Sequence, residues 1–110
     1  MDSDVGAYQL PFYYRLAAEP MVRMTLTVFA DLNAFLGEWD PIGMPKGLEL
    51  DEYQMYVPGL LAAYNKGQTV ERFLLWVYEQ QIGFEVNEEF WAFTRPLAER
   101  ITQYLRAHEE

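Results

Sequence analysis

Carboxylates and aromatic rings are the side chains through which this chain could do chemistry. Asp40, Glu49, Asp51 and Glu52 bracket a Gly- and Pro-rich stretch, and Trp39, Tyr53 and Tyr56 stand beside them. Clustered acids can hold a hard oxygen-seeking cation or do general acid–base work. The spacing here matches no calcium loop, and no Asp-x-Asp-x-Asp-Gly run occurs. Trp and Tyr combine a large contact area with a polar tip, which favours them in binding hot spots. The same residues also serve turns and helix starts. Asp40 before Pro41 favours a turn, and Asp51 with Glu52 suits a helix N-terminus.

Other chemistries lack their side chains. Cysteine is absent, which excludes disulfides, thiolate nucleophiles and zinc–thiolate sites. The one histidine, His108, sits at the C-terminal end, where a triad imidazole would have nothing to hold it. Gly37, Gly43 and Gly47 are separated by bulky residues, with no Gly-Lys-Ser/Thr to cradle phosphate. The reading is a binding protein with no cofactor, and catalysis is not expected.

Charge points the same way. Seventeen acids against eight bases give a net charge of −9. Phosphate backbones are bound by clustered Lys and Arg, yet Lys46 and Lys66 are the only lysines and the arginines are scattered. Nucleic acid is therefore not an expected partner. An acidic field favours encounter with a basic protein. The acidic start, Met1-Asp2-Ser3-Asp4, is unlike the basic opening of a secretory signal, and no apolar run approaches the ~20 residues of a membrane span. A cytoplasmic location without membrane contact is the expectation.

The elements that must position these residues read as helices. With 110 residues, 51% of them hydrophobic, the chain has one domain's worth of sequence and enough apolar surface for a core. Met1–Gly6 and residues 107–110 read as loose ends. Tyr8–Ala18 alternates like a strand, but Pro11 can equally open a short helix; with no second strand to pair, helix is favoured. Pro20 then opens a long helix carrying Val22, Leu26, Phe29, Leu32 and Leu36, with Gly37 as its stop. Residues 37–50 hold three glycines and two prolines in fourteen positions, too many for a continuing helix.

A second helix begins near Asp51 and carries Tyr53, Tyr56, Val57, Leu60, Leu61 and Tyr64. Pro58 inside it predicts a kink or break near Gln54 to Val57. Thr69 caps a third helix with Val70, Phe73, Leu74, Val77 and Tyr78 on its stripe, ending at Gly83. Trp76 and Trp91 read as core beside those stripes. Asn87 caps a fourth helix that keeps register through Pro96, so one helix is expected there. The fold class is all-α, an irregular four- or five-helix bundle with one long loop between the first long helix and the next.

At that loop, Trp39-Asp40-Pro41-Ile42-Gly43, Asp51-Glu52-Tyr53 and Tyr56-Val57-Pro58-Gly59 together resemble a family of short, functionally uncharacterised bacterial proteins. Their pattern is a Trp-Asp-Pro-Ile/Leu-Gly turn followed by Asp-Glu-Tyr-Asp leading into a helix. The similarity covers roughly residues 32–66. It departs at Gln54, where the family has a second Asp. The resemblance implies no activity; some similar small acidic helical proteins are immunity partners of bacterial toxins. Its physical content is a turn in which the Trp ring stacks on the Pro and the Asp carboxylate accepts backbone N–H groups.

Three functions fit these residues. One is an interaction module, in concrete form an immunity-type inhibitor of a basic toxin, binding through Trp39, Asp40, Glu49, Asp51, Glu52, Tyr53 and Tyr56. Another is a carboxylate-based, metal-dependent enzyme using Asp40, Asp51 and Glu52. The third is a structural or regulatory subunit that oligomerises through Tyr8–Leu16, although that segment is better expected to fold onto its own bundle.

Overall fold

Thr25, rather than Pro20, opens the first long helix. This computed structural model describes residues 21–41, 43 and 49–110, the side chains of residues 49 and 50 excepted. Thr25 is extended, and its hydroxyl accepts from the Val28 N–H at 3.0 Å. α1 then runs Leu26–Trp39. The stretch before it is held extended by a side chain. The Asn65 carboxamide accepts from the Val22 N–H and donates to the Val22 carbonyl, each at 3.0 Å. This pair copies a rung of a β-ladder and satisfies both backbone groups of a buried residue, which a helix at that position would not.

Gly37 does not stop α1. Val28, Leu32, Leu36 and Trp39 are all buried and recur at four-, four- and three-residue steps, so the apolar stripe continues past the glycine. The stop is Asp40, left-handed at φ 38, ψ 61, whose N–H bonds to the Leu36 carbonyl at 2.9 Å. Aspartate tolerates that region better than most residues.

The second helix is divided rather than kinked. A single turn, α2 (Glu49–Glu52), leads through Tyr53 into a 3-10 turn at Gln54–Tyr56 and then α3 (Val57–Asn65). Pro58 lies in the first turn of α3, where its missing N–H removes no intrahelical bond.

Thr69 and Asn87 cap the next two helices, as their sequence positions predict. The Thr69 hydroxyl accepts from the Arg72 N–H at 3.1 Å and opens α4 (Val70–Trp76). α4 widens into a π-helical stretch, Val77–Ile82, closed by Gly83 at φ 91. The Asn87 Oδ1 accepts from the Phe90 N–H at 2.9 Å and opens α5 (Glu88–Ala107). α5 passes through Pro96 as one helix. Both Pro96 and Ala92, whose carbonyl loses its partner there, are exposed, so water can replace the bond.

α5 packs on α1 and α4, and α3 packs on α1 and α4. Leu32, Leu36, Leu60, Leu74, Ile101 and Leu105 fill the middle. Among the described residues the architecture is all-α, an irregular bundle, and the only extended pairing is an isolated bridge between Val22 and Glu109. No helix among them is long and apolar enough to cross a membrane.

The C-terminal residues are not loose. Glu109 bridges to Val22 and accepts from the Tyr64 hydroxyl. Glu110 pairs with Arg23 at 2.8 Å and donates its N–H to the Met21 carbonyl. His108 stacks on Tyr104 with ring centres 4.1 Å apart. The tail is held because the chain arrives beside the extended segment that precedes α1. The readings of Met1–Gly6, of Tyr8–Ala18 and of oligomerisation through Tyr8–Leu16 lie outside the described residues, as do positions 42 and 44–48 of the long loop.

Candidate functional site

The turn that carries the family resemblance is a clasp. Trp39 is only 3% exposed, and its indole Nε1–H donates to the Thr94 hydroxyl at 3.0 Å, a buried bond from α1 to α5. Tyr53 is fully buried, and its hydroxyl donates to the Asp40 carboxylate at 2.7 Å. The Asp40 carbonyl accepts from the Gly43 N–H at 3.1 Å, and Gly43 takes φ 78, a conformation glycine adopts without a steric cost. The segment thus ties the end of α1 to α5 and to the residue after α2. The lock on the next helix is Tyr53, through its hydroxyl on Asp40.

Two of the residues expected to bind lie deeper than their place beside a loop suggested: Trp39 is 3% exposed and Tyr53 is fully buried. Tyr56 is half-buried against the same core. Asp51 is exposed and Glu52 half-buried. Glu49 begins α2, and its side chain lies outside the described residues. Trp76 is corrected in the opposite sense. It is 44% exposed, because the buried stripe of α4 is Val70, Phe73, Leu74 and Val77, and Trp76 falls to the side of it.

An acidic cavity opens on the outer side of the clasp. Its volume is about 440 Å³, and Glu38, Asp40, Tyr78, Glu89, Phe90 and Phe93 are among the residues that line it. The floor is aromatic: Tyr78 and Phe90 lie 4.4 Å apart by ring centres, and Phe84 stands edge-on to Tyr78 at 5.4 Å. Phe93, which lines the cavity, is 50% exposed, and Phe84, packed on Tyr78, is 40% exposed. Glu38 is engaged by Arg100, whose guanidinium it holds charged to higher pH than usual through a hydrogen bond and direct attraction. Among the described residues Glu89 has no ion pair, and neither do Glu79, Glu85 and Glu88, all of them exposed.

Those glutamates make the π-helical end of α4, the turn after it and the start of α5 an acidic stretch. No Lys or Arg occurs between Arg72 and Arg95, whereas Glu79, Glu85, Glu88 and Glu89 all do. The sequence carries the signal as Gly83-Phe84-Glu85-Val86-Asn87-Glu88-Glu89-Phe90, in which acids alternate with apolar residues. Such an edge can steer a cationic group and accept its apolar stem on Phe84 and Phe93.

Among the described residues no group of three or more His, Asp or Glu side chains converges as metal ligands would. Asp40 is committed to Tyr53, and Asp51 and Glu52 do not join it in such a group. No protein-family model, no curated protein and no solved structure matches the chain.

Proposed function

We propose that this chain is an interaction module for a cationic protein, in concrete form an immunity-type protein that neutralises a basic toxin. The observation that carries the reading is the acidic, aromatic-studded edge at the turn between α4 and α5. There Glu79, Glu85, Glu88 and Glu89 stand without ion pairs beside exposed Phe84 and Phe93. A partner Arg or Lys would enter the cavity with its charge against Glu89 and its methylenes against the Phe rings. The net charge of −9 extends the attraction beyond contact distance.

Affinity capture tests this reading. The parent chain and a Glu85→Lys/Glu88→Lys/Glu89→Lys variant are immobilised and challenged with a native extract at about 50 mM salt, where surface charges act over more than 10 Å. The expected result is a basic protein retained by the parent, lost by the variant and released as salt rises. Identical capture by both chains, or retained proteins without a basic excess, would overturn it.

A further inference from the structure

A second cavity, which shares no lining residue with the acidic one, has the opposite chemistry. It lies between α3 and α4 and measures about 400 Å³, within the range of small-molecule sites. Gly59, Ala62 and Phe73 line its apolar part, Trp76 forms a wall, and Lys66 and Arg72 supply its cations. Gly59 lets the Phe73 ring approach the α3 backbone closely: a Cβ there would stand 3.3 Å from two atoms of that ring. Trp76 is braced by Phe73 with ring centres 5.7 Å apart and interplanar angle 41°, yet it is 44% exposed. Trp76 is one of several exposed large apolar side chains among the described residues, and it is the one that stands beside Lys66 and Arg72 in a cavity.

The charges are as telling as the ring. Among the described residues Arg23, Arg95 and Arg100 each find a carboxylate. Lys66, Arg72 and Arg106 form no ion pair among them, and the first two of these share one groove. Glu71, next to Arg72 in sequence, turns instead to Arg95 at 2.8 Å. Two unpaired cations beside an open indole and an apolar floor complement a ligand with one anionic group on a flat apolar body. A guanidinium binds a carboxylate through paired N–H donors, and an indole stacks on an aromatic ring. A polyanion would bring many charges against a chain of net charge −9, whereas a small carboxylate brings one.

We propose that the groove between α3 and α4 binds a small aromatic carboxylate, its ring on Trp76 and its carboxylate on Lys66 and Arg72. This site is independent of the cationic-partner surface. The test is a titration of the ¹⁵N-labelled full chain with 2-naphthoate, with neutral 2-naphthamide, and with an acidic peptide carrying an aromatic residue. Saturable shifts by naphthoate at the amides of Lys66, Arg72 and Phe73 and at the Trp76 indole are expected. Naphthamide should bind at least about tenfold more weakly to the same parent protein, as loss of a charge-assisted pair implies. Lys66→Ala/Arg72→Ala should weaken naphthoate similarly, and Arg106→Ala, outside this groove, should not. No saturation by about 10 mM, equal binding of the amide, shifts centred elsewhere, or binding of the peptide without naphthoate would each overturn the assignment.

Discussion

Replacing Thr94 by Val isolates the clasp. The two side chains are nearly the same shape, but Val removes the only described acceptor of the Trp39 indole N–H. Thr94 is fully buried and Trp39 is 3% exposed, so water cannot take the acceptor's place without opening the α1–α5 contact. A buried donor left without a partner costs about 1–3 kcal/mol. Taking ~2 kcal/mol, and ~4–8 °C of Tm for each kcal/mol in a domain near this size, Thr94→Val should melt roughly 10 °C below the parent. Urea denaturation followed by far-ultraviolet circular dichroism supplies the free energy, since the change touches an indole and would confuse a fluorescence probe. Trp39→Phe and the double variant complete the cycle. The Phe change is costly alone through lost packing, but Thr94→Val should cost at least ~1 kcal/mol less in that background, because no orphaned N–H remains. A Thr94→Val protein within ~0.5 kcal/mol of the parent, or strict additivity in the cycle, would show that Trp39 is not held as described.

Other outcomes follow from the same contacts. Asn65→Ala removes both bonds to the Val22 backbone and should destabilise by about 1–3 kcal/mol, with faster hydrogen exchange at the Val22 and Glu110 amides. Exchange unchanged at both would contradict the docking of the two chain ends. Asn87→Ala removes the cap of α5 and should cost about 1 kcal/mol, read from the urea midpoint at constant slope. Tyr64 and Tyr104 are held protonated up to about 12, by partial burial first and then by the hydrogen bonds to Glu109 and Asp31. The unfolded chain releases these protons near pH 10 while the folded chain keeps them. Their contribution is therefore complete below pH 10 and is lost between about 10 and 12. Tyr64→Phe/Tyr104→Phe should flatten that alkaline decline, and an unchanged slope would assign it to other groups.

Helix type and most caps were legible because they depend on neighbours in sequence. Thr69 and Asn87 lie three residues before the N–H groups they accept from, so their capping is a local matter. The start of α1 was not legible, since Val22 is held extended by Asn65, forty-three positions away. Gly37 misled for a related reason. It is a strong local signal, but the stripe through Leu36 and Trp39 carries α1 past it, whereas the break that Pro58 predicted near Gln54 to Val57 is present. The tryptophans show the same limit for function. Trp39 lies in a Gly- and Pro-rich stretch that reads as surface, yet it is buried; Trp76 lies on an apolar helix that reads as core, yet it is exposed. The phase of each residue against its stripe decides, and one residue of error in a helix boundary changes it. The exposed carboxylates Glu79, Glu85, Glu88 and Glu89, on which the proposed function rests, lie outside the stretch 39–56 that drew attention in the sequence.

The association rate with a captured basic protein, measured across ionic strength for the parent and the Glu85→Lys/Glu88→Lys/Glu89→Lys variant, tests the central claim most directly. Steering by the α4–α5 edge predicts a parent on-rate that falls steeply with salt, by about tenfold or more, and a variant that is slow at low salt and nearly insensitive to it. Equal on-rates for the two chains, with the same salt slope, would contradict the account.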